Sequence, residues 1–457
     1  MALVLGIDSS TQSTKALLVE AESGEIVEER RAPHPDGTEV NPQAWIDALE
    51  HAAGPLLERA QAVAVGGQQH GMVALDAEGN VVRDALLWND TRSAGAARDL
   101  IEELGGPAAA ADRTGSVHVA SLTATKLRWM RDHEPENAER ASRIVLPHDY
   151  INHTLDARGG FFTDRGDASG TGYFSPKLNG YDPELRVQAL GHDFDVPTIA
   201  ETPNEVMGET KTGSIIAPGT GDNMAAALGL GLGKGDVSVS IGTSGVAAMV
   251  VDAPVADATG AVTGFADTTG RWLPLACTLN ASRILDFGCQ ILGVDYETLG
   301  EMAVASEPGA RGVIFVPYLD GERTPNRPDA TGTLFGLTRR TRREEIARAC
   351  VEGLLCSLAD AVGFLENVSG EQSERLLFIG GGIKSRAVRE LAPTVFGRDI
   401  LVPEPAEYVA LGAARQAAWA LQGGDAAPAW SIGEVQTYTG DSAPQVLEAY
   451  QEARNRA

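Results

Sequence analysis

The chain opens on two apolar runs, Leu3 to Ile7 and Ala16 to Glu20, divided by a polar stretch, and a third run from Glu25 to Arg30 follows the turn Ser23-Gly24. Short apolar runs bounded by turn residues predict strands, so this segment reads as a three-stranded meander. A helix is predicted after Asn41-Pro42 and a buried strand at Ala62 to Val65. Near the middle the order restarts. Asp236 to Ile241 is apolar and β-branched at alternate positions, Gly242-Thr243-Ser244-Gly245 is a turn, and Val246 to Val251 is a further strand.

Later, Thr341-Arg342-Arg343-Glu344 fits a capping box, and Ile346, Cys350, Leu354, Leu358 and Val362 recur every four residues, which predicts a long helix with one buried face. Leu376 to Ile379 reads as a short buried strand that opens into Gly380-Gly381-Gly382, followed by a helix from Ser385 to Phe396 and a strand at Asp399 to Val402. The whole is an α/β chain in which one strand–turn–strand unit occurs twice. The closely spaced glycines before Asp236 mark a boundary, giving expected domains of 1–232 and 233–457. Their two polar turns would then face each other across a cleft.

Length and charge narrow the partners. A chain of 457 residues exceeds the usual size of one core. Its net charge of −26 argues against nucleic acid, because a phosphate backbone demands a basic surface. Any phosphate it binds must be held by backbone amides, a metal ion or a few cations. The four cysteines lack CxxC spacing, so reduced thiols are expected rather than a zinc site or a disulfide framework. No stretch approaches ~18 uninterrupted apolar residues and no leader is recognisable, so a cytoplasmic protein without a membrane partner is expected.

The polar stretch Asp8-Ser9-Ser10-Thr11-Gln12-Ser13-Thr14-Lys15 is richer in hydroxyls than a hairpin needs. Thr11 and Ser13 offer hydroxyls, the turn amides can cradle an anion, Lys15 supplies a positive charge, and Asp8 could hold a hydrated Mg²⁺. An Asx-turn is the plainer role for Asp8. Gly242 and Thr243, and again Gly381 and Gly382, lie in glycine turns at strand ends that allow close approach to a phosphate. Three such turns favour ATP over a single small anion. Asp222 precedes an Ala-rich helical stretch, where N-cap is its ordinary role. An ionised carboxylate there would also accept the proton of an attacking hydroxyl. Gln68, Gln69 and His70 follow a buried strand, where they could line a sugar crevice. Trp88, in "LLWNDTRS", could stack on a carbohydrate face.

The stretches "GIDSSTQSTK", "GGQQHGMVALD", "ALLWNDTRS", "LPHDYINHTL", "TDRGDASGT", "GTGDNMAAALGLG", "SIGTSGV", "PYLDGERTPNRPDATGTLFGLT", "FIGGGIKS" and "ALGAARQAAW" run in order through most of the chain. In these the protein resembles the FGGY-family carbohydrate kinases, and within them the bacterial xylulokinases. The resemblance implies two ribonuclease-H-like α/β domains of the actin and hexokinase type flanking a central cleft, and ATP-dependent, Mg²⁺-assisted phosphorylation of a ketose such as D-xylulose. It implies phosphate contacts at the Asp8–Lys15 turn and at Gly242 and Thr243, and nucleotide contacts at Gly381, Gly382 and Lys384. It makes Asp222 the general base with Asn223 beside it, and His70 and position 69 sugar contacts. Gln69 departs from the family's usual methionine, and Ser10 stands where many relatives have glycine. A homodimer is the candidate assembly. Gluconate, ribulose or glycerol as substrate, an actin-fold ATPase without sugar kinase activity, and a sugar-sensing regulator are the alternatives. Glu322 and Arg323 of "GERTP" receive no role.

Overall fold

The structure is a computed structural model and describes residues 2–457. Its first sheet is built on Leu3–Ser9, Ser13–Glu20 and Ile26–Pro33, an antiparallel meander, with Ala62–Gly67 running parallel to the first strand. The expected elements are present, but the first hairpin is tighter than its composition predicts. Its strands continue through the polar stretch, so Asp8 lies opposite Lys15 and Ser9 opposite Thr14, leaving only Ser10 to Gln12 as the turn. Carboxylate and ammonium therefore stand side by side on adjacent strands.

Parallel pairing decides what meets at the sheet edge. Asp8 and Ser9 lie beside Gly66 and Gly67, and the short strand Thr220–Gly221 lies beside the same two glycines on the other side. The three strands end together. Asp8, the Gln68–His70 segment and Asp222 are thereby brought to one carboxyl-terminal edge, where parallel sheets offer a crevice.

The second half repeats this plan. Val237–Ile241 and Gly245–Met249 form the hairpin, Trp272–Thr278 and Thr263–Ala266 extend it on one side, and Leu376–Ile379 runs parallel to Val237–Ile241 on the other. Ser240 lies beside Ile379, so the turns Gly242-Thr243 and Gly380–Gly382 share an edge as well. The helix Arg343–Ser369 buries Cys350, Leu354, Leu358 and Val362 as its periodicity predicts. Its cap is shifted by one residue. Glu345 accepts from the Arg342 backbone N–H at 2.6 Å, while the Thr341 hydroxyl accepts from the Thr338 backbone N–H.

Two helices tie the halves together. Asp222–Gly229 packs Met224 and Ala227 on Ala248, Phe265, Leu273 and Leu275 of the second sheet. Tyr408–Gln422, late in the chain, returns to cover the first sheet, with Ala410, Ala413, Ala414 and Ala417 on Val4, Leu17, Val19 and Ala64. Small side chains let these helices cross closely. A Cβ on Gly412 would collide with the Ala225 carbonyl oxygen. The architecture is two α/β domains of the actin and hexokinase type around one cleft. Among the described residues no helix is long and apolar enough to cross a membrane, and all four cysteines are free.

Candidate active site

Two connected cavities occupy the cleft. The larger, about 960 Å³, is lined by Ile241, Gly242, Thr243, Leu285, Tyr296 and Gly300 together with Gly381, Gly382 and Lys384. The smaller, about 500 Å³, brings Asp8, Lys15, Asp222 and Asn223 of the first half against Gly380, Gly381 and Lys384 of the second. Gly381 and Lys384 line both. The larger cavity has the size and largely apolar walls of a nucleoside pocket, and the smaller has the charged groups for its phosphates.

Electrostatics divide the work in the smaller cavity. Burial pushes the Asp8 carboxyl up to about 6, against the opposing pull of Lys15, whose Nζ lies 3.6 Å from Asp8 Oδ2. The Ser10 hydroxyl donates to Asp8 Oδ1 at 3.0 Å, which is what a serine in the glycine position contributes. Asp222 is pushed up to about 7, first by burial and then by the negative charge of Asp8. This corrects two expectations. Gly221 is the N-cap and Asp222 the first helical residue, and desolvation outweighs the helix N-terminus, so the carboxyl titrates near neutrality instead of staying fully ionised.

The sugar-side residues form a connected group. Asn223 Nδ2 donates to Asp222 Oδ1 at 2.9 Å and to Gln69 Oε1 at 3.2 Å. His70 adopts a left-handed backbone (φ 70°), and its Nδ1 lies 2.7 Å from the Gly170 carbonyl oxygen. Only an N–H on Nδ1 makes that a bond, so Nε2 is left as an acceptor. Gly170 is required here, since a Cβ would lie 2.6 Å from His70 Nδ1. Burial lowers the imidazole to about 3, so it is neutral. Both amide atoms of fully buried Gln68, and Nε2 of Gln69, have no partner within the protein. Unpartnered buried amides are costly unless a ligand meets them.

Three predicted residues lie elsewhere. The Thr11 hydroxyl accepts from Trp88 Nε1 at 2.9 Å, Ser13 is buried in its strand, and neither lines the two cavities. Trp88, 40% exposed, thus braces the tip of the first hairpin.

Sequence reasoning missed Glu407, whose Oε2 lies 2.5 Å from Lys15 Nζ. It also missed the buried group His148, Asp149 and Asp167, whose ligand atoms lie within 4.8 Å of one another. His148 Nδ1 is 3.1 Å from both carboxylates and its Nε2 is 2.9 Å from the Pro218 carbonyl oxygen. Against burial, the two carboxylates raise the imidazole to about 10, while burial raises the Asp167 carboxyl to about 7, so the shared proton stays on His148, whose two nitrogens face these carboxylates and the Pro218 carbonyl in place of a metal ion. The group braces the strand edge that carries Asp222: Asp164 accepts from the Asp167 backbone N–H and from the hydroxyl of Thr220, two residues before Asp222.

Residues 3–229 match the family model "FGGY family of carbohydrate kinases, N-terminal domain", and residues 237–421 match its C-terminal counterpart. The chain belongs to the FGGY family of carbohydrate kinases. The kinase is 46% identical to a xylulose kinase of Streptomyces coelicolor over 440 residues, covering 93% of this chain and 89% of that one. It is 32% identical to a xylulose kinase of Escherichia coli over 446 residues, covering 91% and 89%. Among solved structures it superposes on xylulose kinase from Bifidobacterium adolescentis with a TM-score of 0.94 at 46% identity, covering 99% of both chains. A glycerol kinase of Plasmodium falciparum, 20% identical with a TM-score of 0.87 over 100% of this chain and 98% of that one, shares the fold.

Proposed function

We propose that the kinase transfers the γ-phosphoryl group of ATP to the terminal hydroxyl of D-xylulose, with Asp222 as general base. The observation that carries this reading is the position of Asp222. It faces the phosphate cavity directly and joins the buried amide and imidazole group through Asn223 and Gln69. Relatives 46% identical to the chain are named xylulose kinases, which favours a ketose over gluconate or glycerol. A filament or chaperone ATPase of the same fold would have no use for unpartnered amides at Gln68 and Gln69.

The adenosine fits the larger cavity, and its phosphates extend past Gly242, Thr243, Gly381 and Gly382 toward Lys15 and Lys384. Two neighbouring carboxylates, Asp8 and Asp222, form an oxygen donor set of the kind hard divalent cations select. Asp8 would hold Mg²⁺, which when bound neutralises charge on the transferred phosphoryl group. A loose transition state leaves the hydroxyl proton in place until late, so a carboxylate titrating near 7 is basic enough to receive it. His70 and Gln69 fix the sugar so that its terminal hydroxyl points at Asp222.

The test is coupled ADP release across ketoses, polyols and aldonates. D-xylulose should give the highest kcat/KM. ADP release that is the same with and without every sugar would return the protein to the ATPase class.

A further inference from the structure

The glutamate of "GERTP" lines neither cavity, yet it is bonded to the loop that carries one of the phosphate turns. Glu322 is 1% exposed. Its Oε1 accepts from the backbone N–H groups of Leu279 at 2.6 Å and Arg323 at 2.8 Å, and its Oε2 accepts from Asn280 Nδ2 at 3.1 Å. Burial pushes this carboxyl up, and the donors pull against it. A buried carboxylate is costly unless hydrogen bonds satisfy it, and here each named partner is a donor, which suits a group that only accepts. The glutamate is itself held in place. Its backbone exchanges two hydrogen bonds with Arg327, and the neighbouring Thr324 hydroxyl donates to the Ala261 carbonyl oxygen at 2.9 Å.

What Glu322 holds is the connection between the strand Trp272–Thr278 and the helix Ser282–Leu292. That connection is bonded to the turn at Gly242. The Ser244 hydroxyl donates to the Leu279 carbonyl oxygen at 3.3 Å, the Ala281 N–H to the Thr243 carbonyl oxygen at 3.1 Å, and the Ser282 N–H to the Gly242 carbonyl oxygen at 3.0 Å. A trans peptide points its carbonyl and the next N–H to opposite sides. Anchoring the Gly242 and Thr243 carbonyls therefore turns the N–H groups of Thr243 and Ser244 the other way, and among the described residues neither donates to another group of the protein. Successive free amides of this kind cradle an anion.

We propose that Glu322 is a positioning residue for nucleotide phosphate, holding the Gly242–Ser244 turn through Leu279 and Asn280 so that the turn's amides meet the phosphate oxygens. The inference rests on the proposed reading of that turn as a phosphate site. Glutamine in its place keeps the acceptor for Leu279 and Arg323 but sets a second amide nitrogen against Asn280 Nδ2, so donor faces donor. Aspartate keeps a group that only accepts.

Calorimetric titration of adenosine, of a non-hydrolysable ATP analogue with Mg²⁺ and of D-xylulose into the full-length protein tests this without turnover. Glu322→Gln should weaken the ATP analogue at least about tenfold, the worth of one hydrogen bond to a charged group, and leave adenosine and D-xylulose within about twofold. Glu322→Asp should recover part of the loss. Equal losses for adenosine and the analogue in either variant would mark a packing role, and unchanged analogue affinity in both would free the turn from Glu322; each overturns the inference alone. The reading beneath it has its own control. A Cβ on Gly242 meets only the Ser244 carbonyl oxygen, at 3.4 Å, so Gly242→Val should fold and crowd the phosphate approach. A Gly242→Val protein that binds the analogue as wild type does would overturn the phosphate reading of the turn, and this inference with it.

Discussion

Lys15 Nζ lies 2.5 Å from Glu407 Oε2, an ion pair between residues 392 positions apart that spans the mouth of the phosphate cavity. The lysine that should meet the ATP phosphates is thus already engaged by a carboxylate at the start of the crossing helix Tyr408–Gln422. On the proposed reading, ATP displaces that carboxylate. A partly exposed ion pair contributes about 0.2–1 kcal/mol, so Glu407→Gln should lower the KM for ATP by up to about fivefold while leaving the sugar KM unchanged. A raised KM for ATP in steady-state kinetics would show that Glu407 positions Lys15 instead of competing for it.

Asp222→Asn should lower kcat by roughly 10²- to 10⁴-fold, the usual loss of a positioned base, with ATP affinity nearly intact. Wild-type kcat should rise with pH through about 7, since only the ionised carboxylate accepts a proton. The same shift has a stability consequence of known sign. Because the folded state raises this pKa from 3.8, its contribution is full below about 4 and is lost as pH rises to about 7. Nucleotide-free Asp222→Asn should therefore gain Tm over wild type increasingly from pH 4 to 7, then level off. Equal Tm differences at pH 4 and pH 8 in thermal scans would show that the carboxyl is not desolvated.

Asp8→Asn separates the metal from the base. It removes the charge that helps to raise Asp222, so the acid limb of residual activity should move to lower pH while the Mg²⁺ concentration for half-maximal rate rises. A limb that stays put, with ordinary Mg²⁺ dependence, would remove Asp8 from both roles.

What the sequence conveys and what it hides follow from the range of the interactions. Both hairpins, the glycine turn after Leu376–Ile379 and the polar residues at the strand ends are written locally, and the strands placed Asp8, Gln69, His70 and Asp222 together as their positions suggested. The protonation of Asp222 depends on Asp8 and on burial, neither of which neighbouring residues display. Thr11 resembles a phosphate ligand until Trp88, 77 residues away, takes its hydroxyl. Glu407 looks like any acidic residue preceding a helix. The cap of Arg343–Ser369 moved by one because Glu345, not Glu344, turns back to the chain.

His70 permits a test of side chain against backbone. Its left-handed conformation favours asparagine over most replacements, so His70→Asn should fold as wild type yet lack the Nε2 acceptor. The sugar KM should rise about 2- to 13-fold, corresponding to one net hydrogen bond of about 0.5–1.5 kcal/mol, and the ATP KM should stay flat. Because the imidazole is lowered to about 3, His70 should contribute no inflection to the wild-type pH profile between 5 and 9. An ATP KM that rises while the sugar KM does not would place the sugar on the other side of the cleft.

The two halves of the smaller cavity belong to different sheets, Asp8 and Lys15 to the first and the Gly380-Gly381 turn to the second, while Gly242 and Thr243 line the adjoining larger cavity. If one ATP is gripped by both, transfer requires the sheets to approach, and water, a competent acceptor far more concentrated than any sugar, must be excluded until the sugar is bound. The connection suits such a motion, because the crossing helices Asp222–Gly229 and Tyr408–Gln422 meet through Ala225 and Gly412, small residues over which packed helices can slide by shear. The kinase should therefore hydrolyse ATP slowly without sugar. Its radius of gyration in small-angle scattering should be smaller with D-xylulose and a non-hydrolysable ATP analogue together than with neither. An unchanged radius in the ternary complex, with full activity in the same preparation, would mean that transfer needs no large approach of the two sheets.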